Sequence, residues 1–252
     1  MDRKNLPIFM HDAKTFEILK KVKSAIPKNT EVYLVGGSIR NSVYFKIFNS
    51  VLPQRDYDLV LIGNKKTFIE NIRKLGFVYG RIRRKREIVL KMKKTSSPKD
   101  YFKDYVFLDI HLSDEKSILK NIRENANFTI NGFALSLRYV TSSNWYDKLV
   151  HLPNSKTDLR KKKLRVNASS YPSTLFSCLR FMSLGFEAPN KKDVKKLYEA
   201  LKFLRRERHK RNVKKLFDYV EGEVKARKLL KRIGIKEDIF DFNTLKNSFR
   251  QG

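Results

Sequence analysis

The chain has 252 residues, 56 of them Lys or Arg and 26 Asp or Glu, for a net charge of +30. Hydrophobic residues make up 41%, which excludes a disordered basic tail and suits one large folded domain or two modest ones. So large a positive excess repels itself and points to a polyanionic partner, nucleic acid first and an anionic membrane surface second. The single Cys178 excludes an internal disulfide and a cysteine zinc site. A reducing compartment fits, either the cytoplasm or the interior of an organelle that makes the protein itself. No segment approaches the length of a transmembrane helix. The N-terminal MDRKNLPIFMHDAK has no apolar signal core.

In chain order, Val32 to Val35 is a short apolar strand. Gly36 and Gly37 turn the chain, and Ser38 is placed to cap a helix running to about Phe48. Tyr57 to Ile62 is the next strand. Asn64 caps a helix with apolar Phe68, Ile69, Ile72 and Leu75, which Gly76 ends. Strands follow at Glu87 to Met92 and Tyr105 to Leu112, with the flexible TSSPK loop, Thr95 to Lys99, between them. Ser113-Asp114 opens a helix with Ile118, Leu119 and Ile122 on one face. From about Ser173 the periodicity is helical throughout: Thr174 to Leu184, Lys191 to Leu204, Val213 to Tyr219 and Val224 to Ile233, with Gly185 and Gly234 as stops. The expected organisation is a mixed α/β head over 1–150 and an all-helical region over 151–252.

A Gly-Gly-Ser turn between a strand and a helix either is only a turn or cradles phosphate, because bare backbone N–H groups and the helix dipole attract an anion. Asp56 and Asp58 lie two apart in a strand and so share a face. They are either a solvated strand end or a cation site at the mouth of the apolar Leu59 to Ile62 run. Asp109, within the apolar VFLDI, is costly unless paired or metal-bound. Three carboxylates beside a phosphate cradle suit two divalent ions about 3.5–4 Å apart in phosphoryl or nucleotidyl transfer.

LVGGSIRN followed by RDYDLVLIG resembles the active-site signature of class II polymerase-β-type nucleotidyltransferases, the family of tRNA CCA-adding enzymes and bacterial poly(A) polymerases. LDIHL stands where that family has its third carboxylate strand. NANFTINGFAL, WYDKLVHLPNSKTDLRKKKLRV, YPSTLFSCLRFMSLGF, RERHKRNVKKLF and KARKLLKRIGIKEDIF resemble its later segments in order. The resemblance implies an α+β fold: a polymerase-β-type nucleotidyltransferase head, a mixed sheet with flanking helices, followed by an all-helical, neck-like RNA-binding region. It implies catalytic, metal-binding Asp56, Asp58 and Asp109 with two Mg2+ ions and an NTP, ATP or CTP. Nucleotide contacts fall to Gly36, Gly37, Ser38, Arg40, Asn127, Asn131, Tyr171, Thr174 and Arg180. The departures are as informative. The family's Arg-Arg-Asp reads Asn125-Ala126-Asn127, its Glu-Asp-x-x-Arg reads Ser170 to Thr174, and its Arg-Asp after the glycines reads Arg40-Asn41.

Four basic runs, Arg81 to Arg86, Arg160 to Arg165, Arg205 to Lys215 and Lys225 to Arg232, are each a solvated face or together an RNA-binding surface. Arg205, Arg206, Arg208, Lys210, Arg211, Lys214 and Lys215 are the candidate RNA contacts. Tyr171 and Trp145 are stacking candidates. Cys178 is expected in the core, and His111 is taken as structural, on the face of its strand opposite Asp109. Two functions remain. One is a template-independent RNA 3′-end nucleotidyltransferase acting on tRNA or another structured small RNA. The other is a catalytically impaired relative serving as an RNA-binding component of a larger ribonucleoprotein. Neither involves a membrane.

Overall fold

In a computed structural model, residues 7, 13–52, 57–76, 78–79, 87–93, 105–167 and 171–249 are described. They form two compact units, Met1–Ala126 with Asn131–Lys156, and Asn127–Ile130 with Thr157–Gly252. Among the described residues no helix is long and apolar enough to cross a membrane.

The first unit holds α1 (Ala13–Ser24), β1 (Glu31–Val35), α2 (Gly36–Phe48), β2 (Tyr57–Ile62), α3 (Lys65–Lys74), β3 (Val78–Tyr79), β4 (Glu87–Lys93), β5 (Tyr105–Leu112), α4 (Ile118–Asn125), β6 (Phe133–Ser136) and β7 (Val150–His151). Its described strands make one seven-stranded sheet in the order β3-β4-β5-β2-β1-β6-β7. The sheet is mixed: β2 pairs with β5 in parallel, and the other neighbours are antiparallel. Alternation sorts the central strands. Leu34, Leu59, Leu61, Leu108, Ile110 and Leu135 share one face and are fully buried, with Leu34, Leu59, Ile110 and Leu135 in one cross-strand row. The opposite face carries Tyr33, Val60 and Ala134, which pack with Ile118, Ile122 and Ala126 from α4 and its end. α2 leans on β1, β2 and β6.

The sequence expectations for β2 and β5 match the structure at both ends. Asn64 caps α3 as expected, its side-chain oxygen accepting from Thr67 N at 3.1 Å. Two caps differ. α4 is capped by Ser117, not by Ser113-Asp114. α2 starts at Gly36 directly from the strand, so Ser38 lies inside the first turn, and its hydroxyl donates back to the Val35 carbonyl at 3.1 Å. α1 was not anticipated, although Ile18, Leu19 and Val22 form its buried stripe.

The second unit holds α6 (Thr174–Ser183), α7 (Lys191–Ala200), α8 (Arg206–Val220), α9 (Glu223–Arg232) and α10 (Phe242–Ser248). α5 (Ser155–Arg160) spans the boundary between the units. α6 packs on α7, α8 and α9. Its Cys178 is fully buried, and burial pushes the thiol up to about 12. Asp158, 2% exposed, ties the unit's first segment to its later chain. It accepts from Thr129 Oγ1 at 2.6 Å and from Arg165 Nε at 3.0 Å and Nη2 at 3.3 Å. Two backbone bonds run beside it, Thr129 N to the Arg165 carbonyl at 3.0 Å and Asn167 N to the Asn127 carbonyl at 2.9 Å.

Asp158→Ala removes the acceptor and strands both donors. We expect a loss of about 3 kcal/mol, the low end for a broken buried pair because Arg165 is half-exposed. Asp158→Asn, which keeps an acceptor for Thr129, should lose less. Chemical denaturation midpoints decide, and an unshifted midpoint in Asp158→Ala rules out the staple. Cys178 should resist thiol reagents at pH 8 until the protein unfolds. Its folded pKa is raised, so its stabilising contribution is complete below the ordinary thiol value of 9.0 and is lost as pH climbs from there towards about 12.

Candidate functional site

Parallel pairing of β2 with β5 sets Asp58 directly beside Asp109. Antiparallel pairing with β1 sets Asp58 beside Val35, the last residue before the glycine turn. The two carboxylates therefore stand on neighbouring strands, on one face, half-buried, at the end of the sheet where α2 begins. His111, two residues beyond Asp109 in an unbroken strand, shares this face and pairs in register with Val60. This corrects the sequence reading that set it on the opposite face.

Gly36 makes the close approach possible. Its φ is +68°, and a Cβ added there would meet Asp58 Oδ2 at 2.9 Å. The carboxylate thus occupies the space a side chain would fill. A Cβ on Gly37 would lie 3.5 Å from Arg40 Nη2, an ordinary contact. The Gly-Gly turn is consequently flanked by a carboxylate on one side and a guanidinium on the other.

Arg40 is held by two amide oxygens. Its Nε and Nη2 donate to Asn41 Oδ1 at 3.0 and 2.7 Å, and its Nη1 donates to Asn131 Oδ1 at 2.6 Å. Asn41 is 1% exposed, and its Nδ2 donates to the Leu52 carbonyl at 3.3 Å. Sequence reasoning noted Asn41 only as a departure and missed it as a site residue. Its position next to an arginine was the available signal. Ser38 is buried, with its hydroxyl turned to the backbone.

Gly36, Gly37, Arg40, Asn131, Asp58 and Asp109 thus belong to the sheet unit. Asp56 lies outside the described residues, as do Arg81 to Arg86 and Thr95 to Lys99. Among the described residues no group of three or more His, Cys, Asp or Glu is placed to hold a metal ion. The donor chemistry of the described pair still suits a hard divalent cation: two carboxylates side by side, with glycine leaving the approach open.

The remaining nucleotide candidates lie in the helical unit. Asn127 accepts from Phe128 N through its amide oxygen at 3.0 Å. Tyr171 is 38% exposed. Thr174 is 1% exposed, and its Oγ1 has no hydrogen-bond partner among the described residues. Arg180 Nη2 donates to Ser177 Oγ at 3.0 Å, and its guanidinium lies over the Tyr219 ring at 5.8 Å. Trp145, a stacking candidate, is 1% exposed and belongs to the core. The run from 205 to 215 is helical from Arg206 onward, with Arg205 at its N-cap. His209 within it is buried.

No protein family's profile matches the chain, and no curated protein matches it. Solved structures do. The chain is similar to the Thermotoga maritima CCA-adding enzyme complexed with tRNA, with a TM-score of 0.65 and 19% identity over 87% of this chain and 50% of that one. It is similar to a CCA-adding enzyme in complex with ATP, with a TM-score of 0.65 and 20% identity over 89% of this chain and 50% of that one. It is also similar to an apo tRNA-processing enzyme, with a TM-score of 0.64 and 20% identity over 94% and 63%. The chain therefore shares the α+β fold of the matched part of these enzymes, a mixed sheet with flanking helices and a helical region after it. The chain spans about half the length of the CCA-adding enzymes it matches.

Gly36→Ala must either keep a positive φ or displace Asp58. We expect a loss of about 1–2 kcal/mol, a fall of roughly 2–8 °C in the thermal midpoint. Gly37→Ala, which meets only ordinary contact inside a helix, should be neutral or stabilising. Equal thermal midpoints for the two variants would refute the close approach.

Proposed function

We propose that the protein is a template-independent RNA 3′-end nucleotidyltransferase, a divergent relative of the class II CCA-adding enzymes and bacterial poly(A) polymerases. The observation that carries this reading is the register pairing of Asp58 with Asp109 beside the Gly36-Gly37 turn. Its fold and the ordered motifs from Leu34 to Phe240 support it.

In the reaction, the 3′-oxygen of the RNA attacks the α-phosphorus of the NTP, the bond to the bridging oxygen breaks, and pyrophosphate leaves. The chain's part is positioning and charge. Backbone at Gly36 and Gly37 approaches the triphosphate. Arg40, oriented by Asn41 and Asn131, presents its guanidinium to a phosphate oxygen. Asp109 accepts the 3′-hydroxyl proton. Asp58 and Asp109, with Asp56, would hold two Mg2+ ions, whose chemistry is to make the hydroxyl more acidic and to offset charge on the leaving pyrophosphate. The RNA is tRNA or another structured small RNA, and the NTP is ATP or CTP.

Base selection is the point of divergence. Tyr171 and Thr174 cannot supply a carboxylate–guanidinium pair, so hydrogen-bonded reading of the base edge is reduced and stacking is what Tyr171 offers. The same replacements, with Asn127's amide oxygen committed to Phe128 N, favour the second reading, an inactive relative that binds RNA within a larger assembly.

The test is incorporation of each labelled NTP, offered separately with Mg2+ and small RNAs. Wild type should extend 3′ ends, with the four NTPs within about 100-fold of one another. A chelator should abolish extension. Asp58→Asn and Asp56→Asn should each reduce it by about 100-fold or more, and Asp109→Asn should be severely impaired. Undiminished extension in Asp58→Asn refutes the metal site, and an inactive wild type selects the second reading.

A further inference from the structure

The helical unit contains a groove of about 530 Å³ between α8 and the segment opening α10. Arg206, Lys210 and Lys214 line it. Spaced i, i+4 and i+8, they form a single file with about 6 Å of rise between neighbours. Phe217 and Phe242 supply apolar walls.

The groove is built rather than incidental. The Arg206 guanidinium lies 5.6 Å from the Phe242 ring centre, and its Nη2 donates to Asn243 Oδ1 at 2.9 Å. That cation is held in place and gives up little side-chain freedom on binding an anion. Beneath it, buried His209 donates Nε2–H to the Ile239 carbonyl at 2.8 Å. Its ring meets Phe176 at 6.0 Å and Phe242 at 5.3 Å. These contacts tie α8 to the 239–242 segment and set the width between the walls. Asp218 and Asp241 also line the groove. Asp241 is committed as the α10 cap, accepting from Thr244 N at 2.7 Å, and this bond holds its carboxyl below the usual range.

We propose that this groove seats the sugar–phosphate backbone of one RNA strand, with Arg206, Lys210 and Lys214 facing consecutive phosphates. The proposal rests on the reading above only in taking RNA as the partner. An even file of cations matches a polymer whose charges recur at a fixed interval on its backbone. The Phe217 wall offers an apolar surface for a base, which an acidic peptide would leave unused.

The test uses the full chain and a short labelled single-stranded RNA, with binding followed by anisotropy across a KCl series. Replacing Arg206, Lys210 and Lys214 by Gln should weaken binding about 10–100-fold and lower the log–log salt slope by roughly 2. Replacing Lys191, Lys192 and Lys196 on α7 by Gln removes the same charge elsewhere and should lower the slope by less than about 1. Arg206→Lys keeps the charge and loses the fork, so it should weaken binding at an unchanged thermal midpoint. Equal losses in the two triple variants overturn the proposal. So does competition by polyglutamate as strong as by unlabelled RNA, which would assign the groove to an acidic protein. Asp58→Asn separates the two ideas. RNA binding through the groove with no transfer in any variant leaves the groove and refutes the transferase. Asp58-dependent transfer with RNA binding indifferent to the α8 triple leaves the transferase and refutes the groove.

Discussion

Two like charges placed side by side on one sheet face are the constraint around which the first unit is arranged. Carboxylates directly opposite one another cost a sheet a few tenths to about 1 kcal/mol, and Asp58 and Asp109 are held there by the register of two strands whose other faces are fully buried. Slipping either strand by one residue would turn its charge into the core and its leucines out. The apolar rows therefore hold the two carboxylates side by side. Beside them stand a glycine that yields its side-chain volume to one carboxylate and, one turn on, a guanidinium anchored by two amide oxygens.

How far the sequence could be read follows from where each feature's cause lies. β2 and β5 were readable because each is an apolar run with sharp polar borders, and Asn64 because its cap bond is local. α2's true start was not, because Gly36's positive φ lets strand pass straight into helix and leaves no position for Ser38 to cap. α1 was obscured by lysines interspersed with its buried stripe. The carboxylates could be nominated from sequence. Their register could not, since β3 and β4 intervene in the chain between the two strands. Trp145, a stacking candidate from sequence, lies instead in the core. An aromatic residue in a polar stretch looks exposed until its partners, distant in sequence, are known.

The charge excess is also less uniform than composition suggests. Several of the helical unit's cations sit against rings, Arg180 on Tyr219, Arg206 on Phe242 and Arg227 on Phe240. Rings of this kind restrain a guanidinium while leaving its edge N–H groups able to donate. Others, such as Lys225 with Glu221, are exposed ion pairs within one helix and add little. The former are suited to geometry and the latter to solubility.

Four residues give the molecule an interleaved rather than modular construction. Residues 127–130 leave the sheet unit, join the helical one, and return. Phe128 is fully buried there, edge-on to Phe181 at 5.8 Å, and Thr129 bonds Asp158. No single cut of the polypeptide can therefore deliver both units intact. A gene fragment beginning at 157 would encode helices lacking a core phenylalanine, and one ending at 126 would encode a sheet lacking two strands. The two units are therefore bound as one piece, which a chain would carry whole or not at all.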